Sequence, residues 1–152
     1  MSPKDLIQEL DICFSAFDSI TAKYTLEKIK TIGDSYLCVG GLFGDSLHAQ
    51  NSCYAAREIL EFLKNRKEQK EKEGHPYWDI RIGIHTGPLV AGVIGEKKFA
   101  FDIWGDTVNT ASRMESSGEI GKINVSEELF LKVKDIFKFS YRGEIEAKGK
   151  GK

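Results

Sequence analysis

No stretch of this chain is apolar for long enough to cross a bilayer, and no amino-terminal leader is visible. A spanning helix and a secretory signal are therefore not expected. Cysteine is scarce and odd in number. Cys13, Cys38 and Cys53 lie in apolar patterns, which fits reduced core thiols of a cytoplasmic domain rather than a disulfide framework. His48, His75 and His85 have no ligand spacing with those cysteines, so a zinc site is not expected. An excess of one charge is also missing. The 22 Lys and Arg nearly balance the 23 Asp and Glu, leaving a net charge of -1, and bulk electrostatics gives no reason to expect nucleic acid as a partner. No Gly-x-x-x-x-Gly-Lys-Ser/Thr loop occurs, so any nucleotide has to be held by other means. There are no internal repeats and no linker.

What is present is an ordinary globular composition, 41% hydrophobic and 30% charged over 152 residues, enough for one domain with a real core. Ser2-Pro3 opens a helix with a capping hydroxyl and a proline in its first turn. Leu6, Leu10, Cys13, Phe17 and Ile20 then recur at helical spacing as far as Tyr24. Leu26 to Ile32 reads as a strand with Lys28 and Lys30 on one face, Gly33-Asp34 as a tight turn, and Ser35 to Val39 as the returning strand. His48 to about Lys70 reads as a helix burying Ala49, Cys53, Ala56, Leu60 and Leu63, with the charged run Lys64–Glu73 as its solvated end. Alternation marks Ile80–His85 as a strand, with Leu89–Ile94 returning as its hairpin partner. Ile123–Val125 is a short strand, Ser126 caps a helix to about Lys134, and Phe137–Tyr141 is a last strand leading to a glycine-spaced lysine tail.

The stretch Phe99–Met114 organises the rest. Phe99, Phe101 and Ile103 alternate as in a strand, Gly105-Asp106 is a turn with Asp106 as expected helix cap, and Val108, Ala111 and Met114 follow helical spacing. Asn109 and Arg113 lie four apart on one face of that helix. An amide and a guanidinium just past a strand-borne carboxylate, Asp102, suit a ligand with polar edges and phosphates. Taken alone, an Asn–Arg pair is more simply a solvated helix face, Lys30 a solvated strand lysine, and Asp34 ordinary turn chemistry.

The run Phe-Asp-Ile-Trp-Gly-Asp-Thr-Val-Asn-Thr-Ala-Ser-Arg-Met-Glu resembles the signature of class III nucleotidyl cyclases. Glu27-Lys-Ile-Lys-Thr-Ile-Gly-Asp34 and Tyr141-Arg-Gly-Glu-Ile-Glu-Ala-Lys-Gly-Lys-Gly151 match the same family in the same order. The resemblance implies an α+β, ferredoxin-like fold with a mostly antiparallel sheet and helices on one face. It also implies conversion of ATP to 3′,5′-cyclic AMP and pyrophosphate. Two Mg²⁺ or Mn²⁺ ions per site would assist attack of the 3′-hydroxyl on the α-phosphate.

By the same resemblance Asp34 is a metal ligand, Asn109 orients the ribose, and Arg113 stabilises charge developing at the α-phosphate. Lys148 holds the terminal phosphates, and Lys30 with Asp102 reads the base. Lys and Asp at those two positions resemble adenylyl cyclases, where guanylyl cyclases usually place Glu and Cys. A guanylyl cyclase, or a non-catalytic dimerisation or nucleotide-sensing module, are the alternatives. Each site is expected to span a head-to-tail homodimer, with Asp34 of one copy serving the other residues of its partner. This segment is expected to make no direct membrane contact, although the protein carrying it is open to membrane attachment. The family's first strand, bearing the other metal aspartate, and its last strand have no counterpart here. The expectation is therefore an incomplete domain over 1–152, an open sheet edge, and little or no turnover by this chain alone.

Overall fold

The structure is a computed structural model that describes residues 2–42, 46–77, 79–94, 100–137 and 139. Contacts divide the chain into two compact units, Met1–Ile80 and Arg81–Lys152.

In the first unit, helix α1 spans Pro3–Lys23, and the Ser2 hydroxyl accepts from Asp5 N at 3.1 Å, as its capping sequence predicts. The helix closes through Thr25 at φ 57, with Leu26 N donating to Thr21 O at 2.9 Å. Its buried stripe is Glu9, Cys13, Phe17, Ile20 and Thr21. The expected Leu6 is 39% exposed, and Glu9 lies inside instead. Helix α2, His48–Glu73, explains this. Arg66 pairs with Glu9 and Lys70 Nζ lies 3.5 Å from it, so a carboxylate is held where a leucine was expected.

The run Lys64–Glu73 is thus only partly solvated. Lys67 also turns back, 3.7 Å from Asp79 and over the Tyr77 ring. Cys53, Ala56 and Leu63 are buried on α2 as expected, with Ile59 in place of Leu60, and Gly74 ends the helix at φ 72. Strands β1, Glu27–Ile32, and β2, Ser35–Val39, pair antiparallel around Gly33-Asp34. Tyr36 seats the pair on α1, its ring 5.5 Å from Phe14 and edge-on to Phe17 at 5.6 Å. All three cysteines are free, with Cys13 and Cys53 buried.

In the second unit, strand β3, Ile82–Ile84, pairs in parallel with β6, Ile123–Val125. Strand β4, Val90–Ile94, pairs antiparallel with β5, Ala100–Trp104. The hairpin expected between Ile80–His85 and Leu89–Ile94 is therefore not formed. Alternation identified both strands but said nothing of their partners. Helix α3, Asp106–Ser116, packs on β3 at Gly83, where a Cβ would collide with the Met114–Glu115 backbone. Asn124 Nδ2 donates to Met114 O at 2.9 Å and ties β6 to the end of that helix. Helix α4, Glu127–Val133, is capped by Ser126, whose hydroxyl accepts from Leu129 N at 3.3 Å.

The architecture is α+β, with the described strands in three two-stranded ladders, two antiparallel and one parallel. No helix among the described residues is long and apolar enough to cross a membrane. The strand expected at Phe137–Tyr141 falls largely outside the described residues.

Candidate active site

The β5–α3 elbow carries three of the expected site residues. Asp102 is 8% exposed, and its Oδ1 accepts from Ile103 N at 2.8 Å. Across the ladder it faces Gly92, which brings no side chain to that position. Strand then passes to helix through Gly105 at φ 126 and ψ 174, a conformation that only glycine adopts readily. Gly105 is therefore the residue preceding the helix, and the expected cap Asp106 is instead the first helical residue, where its carboxylate favours the helix dipole. Gly105 O accepts from both Val108 N at 3.1 Å and Asn109 N at 3.3 Å.

Thr107 Oγ1 donates to Pro88 O and fixes the first turn of α3 against the Gly87-Pro88 turn. The buried stripe of α3 is Thr107, Thr110 and Met114. Val108 and Ala111, expected inside, are half-buried. That rotation leaves Asn109 exposed and Arg113 half-buried, one turn apart on the same side of the helix.

Lys30 and Asp34 belong to the β1–β2 hairpin of the first unit. Asp34 is exposed at the tip, beside Gly33 at φ 58. Lys30 is half-buried and lies opposite Leu37. The register slips between Lys28 and Lys30, so Ile29 has no partner across the ladder. Lys28 and Lys30 therefore do not share a face, contrary to the simple alternation read from the sequence. Lys28 is opposite Cys38, on the side of Tyr36 and α1, and Lys30 is on the other. Nothing in the pattern Glu-Lys-Ile-Lys-Thr-Ile announces a bulge, because both registers keep apolar and polar residues mixed.

Lys148 lies outside the described residues. Among the described residues no group of three His, Cys, Asp or Glu is assembled that could hold a metal. Asp34 on its own offers an exposed carboxylate. That is the hard oxygen donor suited to Mg²⁺ or Mn²⁺, and such ions are commonly held by one or two carboxylates together with substrate phosphates. The residue therefore fits one ligand position of a phosphate-bridged cation.

Residues 1–152 match the family of adenylate and guanylate cyclase catalytic domains, and the chain belongs to that family. It is 41% identical over 150 residues to an adenylate cyclase of Mycobacterium tuberculosis, covering 99% of this chain and 33% of the relative. It is 42% identical over 152 residues to the beta-2 subunit of soluble guanylate cyclase from Rattus norvegicus, covering 99% of this chain and 22% of that protein. The chain thus spans a third or less of the length of these curated relatives. Among solved structures, the guanylate cyclase domain of a Catenaria anguillulae protein, determined in complex with GTP, superimposes with a TM-score of 0.88. It shares 34% identity and covers 99% of this chain and 81% of that one. Relatives of both nucleotide preferences lie at similar identity, so family membership leaves the base open.

Proposed function

We propose that this chain is the catalytic domain of an adenylyl cyclase, converting ATP to 3′,5′-cyclic AMP and pyrophosphate. The observation that carries the reading is the β5–α3 elbow. A buried carboxylate, Asp102, precedes a glycine-only turn, after which Asn109 and Arg113 lie on one side of α3. Asp102 accepts from the adenine N6 amine, and Lys30 donates to N1. Asn109 holds the ribose so that the 3′-hydroxyl is in line with the α-phosphate, and Arg113 meets the charge that develops there. Lys148 neutralises the terminal phosphates. Asp34 would hold a divalent cation, which when bound polarises the phosphate and hydroxyl oxygens.

The working unit is two copies of the chain meeting head to tail. Each copy lends Asp34 to a site whose other residues come from its partner. Of the described carboxylates only Asp34 matches a metal position of the family, so turnover by this chain in isolation is expected to be low. The domain is cytoplasmic.

Cyclic nucleotide formation from ATP and from GTP, measured in the protein carrying this chain with Mn²⁺, tests the base assignment. ATP preference is expected. The pair Lys30→Glu with Asp102→Cys should weaken ATP use and open GTP use, because each hydrogen bond to a charged partner contributes roughly 1.5–3 kcal/mol. A clear GTP preference of the unaltered protein would overturn the reading in favour of a guanylyl cyclase. Failure to form either product would favour a nucleotide-sensing module.

A further inference from the structure

His85 stands where β3 gives way to the turn that seats α3. Its side chain is only 9% exposed, and its Nδ1 lies 2.6 Å from Ser126 Oγ at the start of α4. Ser126 N donates to Ile84 O at 3.2 Å, so backbone and side chain both join the two segments. The Ser126 hydroxyl already accepts from Leu129 N as the cap of α4. Its single hydrogen is then free to go to Nδ1, which makes that nitrogen an acceptor and puts the proton of the neutral imidazole on Nε2. Glu128 Oε2 lies 3.5 Å from the same Nδ1. One buried ring nitrogen thus has two partners to choose between. Neutral, it takes the serine hydrogen; protonated, it becomes a donor, for which a carboxylate is the stronger acceptor. The other elements packed here offer His85 little competing charge. Strand β6 has none, Glu115 on α3 is engaged by Arg81 at 2.9 Å, and Glu127 on α4 and Asp106 on α3 are exposed. Arg113 on α3 is half-buried, on the side of Asn109.

The turn that follows His85 touches the candidate site directly. Three residues on, Pro88 O accepts from Thr107 Oγ1. A Cβ at Gly87 would stand 2.6 Å from that same hydroxyl, and one at Gly105 would stand 3.7 Å from Leu89 Cα. The turn is therefore laid flat against the elbow and the first turn of α3, two residues before Asn109. We propose that His85 is a positioning residue for Asn109 and Arg113: in its neutral form it anchors the Thr86–Pro88 turn to the cap of α4 through Ser126, and on protonation it transfers to Glu128 and loosens that anchor. This rests on the reading of the elbow as the nucleotide site. Turnover should accordingly fall as the pH drops through the titration of His85, which for an ordinary imidazole is near 6.5.

The test has two arms. In the full chain, the His85 imidazole and the Leu129 and Asn109 amides are followed by NMR between about pH 8 and pH 5. All three should titrate together. An Asn109 amide that stays fixed while His85 titrates would overturn the proposal, whatever the chain's activity.

In the protein carrying this chain, cyclic nucleotide formation from ATP and from GTP is measured with Mn²⁺ over the same range, with thermal midpoints for every variant. His85→Asn, whose amide oxygen can still accept from Ser126, should keep turnover near neutral pH and lose the acid fall. His85→Leu should lower kcat about tenfold at all pH values with a smaller change in KM, less than a full ångström of misplacement costs. Glu128→Gln removes the competing acceptor and should move the acid fall to lower pH by a few tenths of a unit, the size of an exposed ion pair. His75→Asn, at an exposed histidine of the first unit, should leave the profile unaltered. An acid fall that persists unchanged in both His85→Asn and Glu128→Gln would overturn the proposal. If neither nucleotide is turned over, the cyclase reading fails, and the NMR arm still decides whether His85 sets the first turn of α3.

Discussion

Arg66 on α2 grips Glu9 on α1 with both arms of its guanidinium: Nη2 donates to Oε1 at 2.6 Å and Nε donates to Oε2. The carboxylate is nearly sealed from water, its side chain only 6% exposed, while Arg66 keeps 22%. Lys70 Nζ stands 3.5 Å away and the Cys13 thiol donates to Oε2 at 3.6 Å. The α1–α2 contact is thus organised around a charge that is acceptable inside only because every side of it is answered.

Removing one partner should therefore cost far more than removing both. Arg66→Met leaves the Glu9 carboxylate buried with Lys70 as its one remaining cation, and should destabilise the first unit by about 3 kcal/mol. The double variant Glu9→Met with Arg66→Leu replaces the pair with apolar volume and should recover most of that loss. Urea midpoints of the two variants beside the unaltered chain measure the difference. Equal losses in both would mean that the pair is no more than surface chemistry.

The same pair sets an acid limit. The hydrogen bond from Arg66, opposed by burial and reinforced by the charges of Arg66 and Lys70, holds the Glu9 carboxyl below its ordinary value of 4.5. In the unfolded chain Glu9 takes up its proton near 4.5; in the folded chain it does so only at lower pH. Its contribution to stability is therefore complete above that ordinary value and is lost as the pH falls through the lowered one. Midpoints recorded between about pH 6 and pH 3 should fall more steeply for the unaltered chain than for Glu9→Gln, which has no proton to take up there.

The sequence announced elements better than their partners. Ser2-Pro3 and Ser126 mark helix starts through chemistry confined to one turn, and both caps form as read. Glu9 could not be told from a surface acid, because what buries it is Arg66, far along the chain. Ile82–Ile84 and Val90–Ile94 were recognisable as strands from alternation, which measures burial on one face and carries no label for the neighbour. That β3 joins β6 in parallel depends on α3 lying across Gly83, a packing fact. At the candidate site Asp102, Asn109 and Arg113 were legible because a strand, a glycine and a helix follow one another within a few residues. The separation of Lys28 from Lys30 onto opposite faces was not, since a bulge leaves no mark in the pattern of polar and apolar residues.

A position where the chain works against itself gives a stabilising prediction. Thr25 closes α1 at φ 57, left-handed backbone that a β-branched residue rarely adopts. Its hydroxyl donates to Tyr24 O at 2.6 Å, a bond within the turn itself, and accepts from Asn51 Nδ2 at 3.4 Å, a long and weak bond. Left-handed backbone costs roughly 1–2 kcal/mol for an ordinary residue and little for glycine. Thr25→Gly should give back a large part of that, offset by glycine's greater freedom in the unfolded chain, for a net gain of about 0.5–1 kcal/mol. A raised thermal midpoint with unchanged nucleotide binding is the expected result; a lowered one would show that the hydroxyl's bonds to Tyr24 O and Asn51 matter more than the backbone.

Gly105 joins fold to chemistry most directly. At φ 126 and ψ 174 it occupies a region essentially closed to residues with a Cβ, where the strain is about 1–3 kcal/mol. An alanine there has two ways out. It can keep the elbow and carry the strain, or relax and tilt the first turn of α3, breaking the contact of Thr107 with Pro88 O and the paired bonds to Gly105 O. Asn109 and Arg113 move with that turn, while Asp102 stays on β5 in its ladder opposite Gly92. The registry between Asp102, proposed to read the base, and Asn109 and Arg113, proposed to meet ribose and phosphate, would be lost even though every side chain is present. Because reaction needs the attacking hydroxyl and the α-phosphate held in line, a small displacement is expensive. Gly105→Ala should therefore cost about 1–3 kcal/mol in stability and lower kcat about a hundredfold, with a smaller change in KM. Circular dichroism melts and steady-state cyclic nucleotide formation in the protein carrying this chain separate the two effects. A variant that melts early yet turns over normally below its midpoint would show that the elbow serves folding alone.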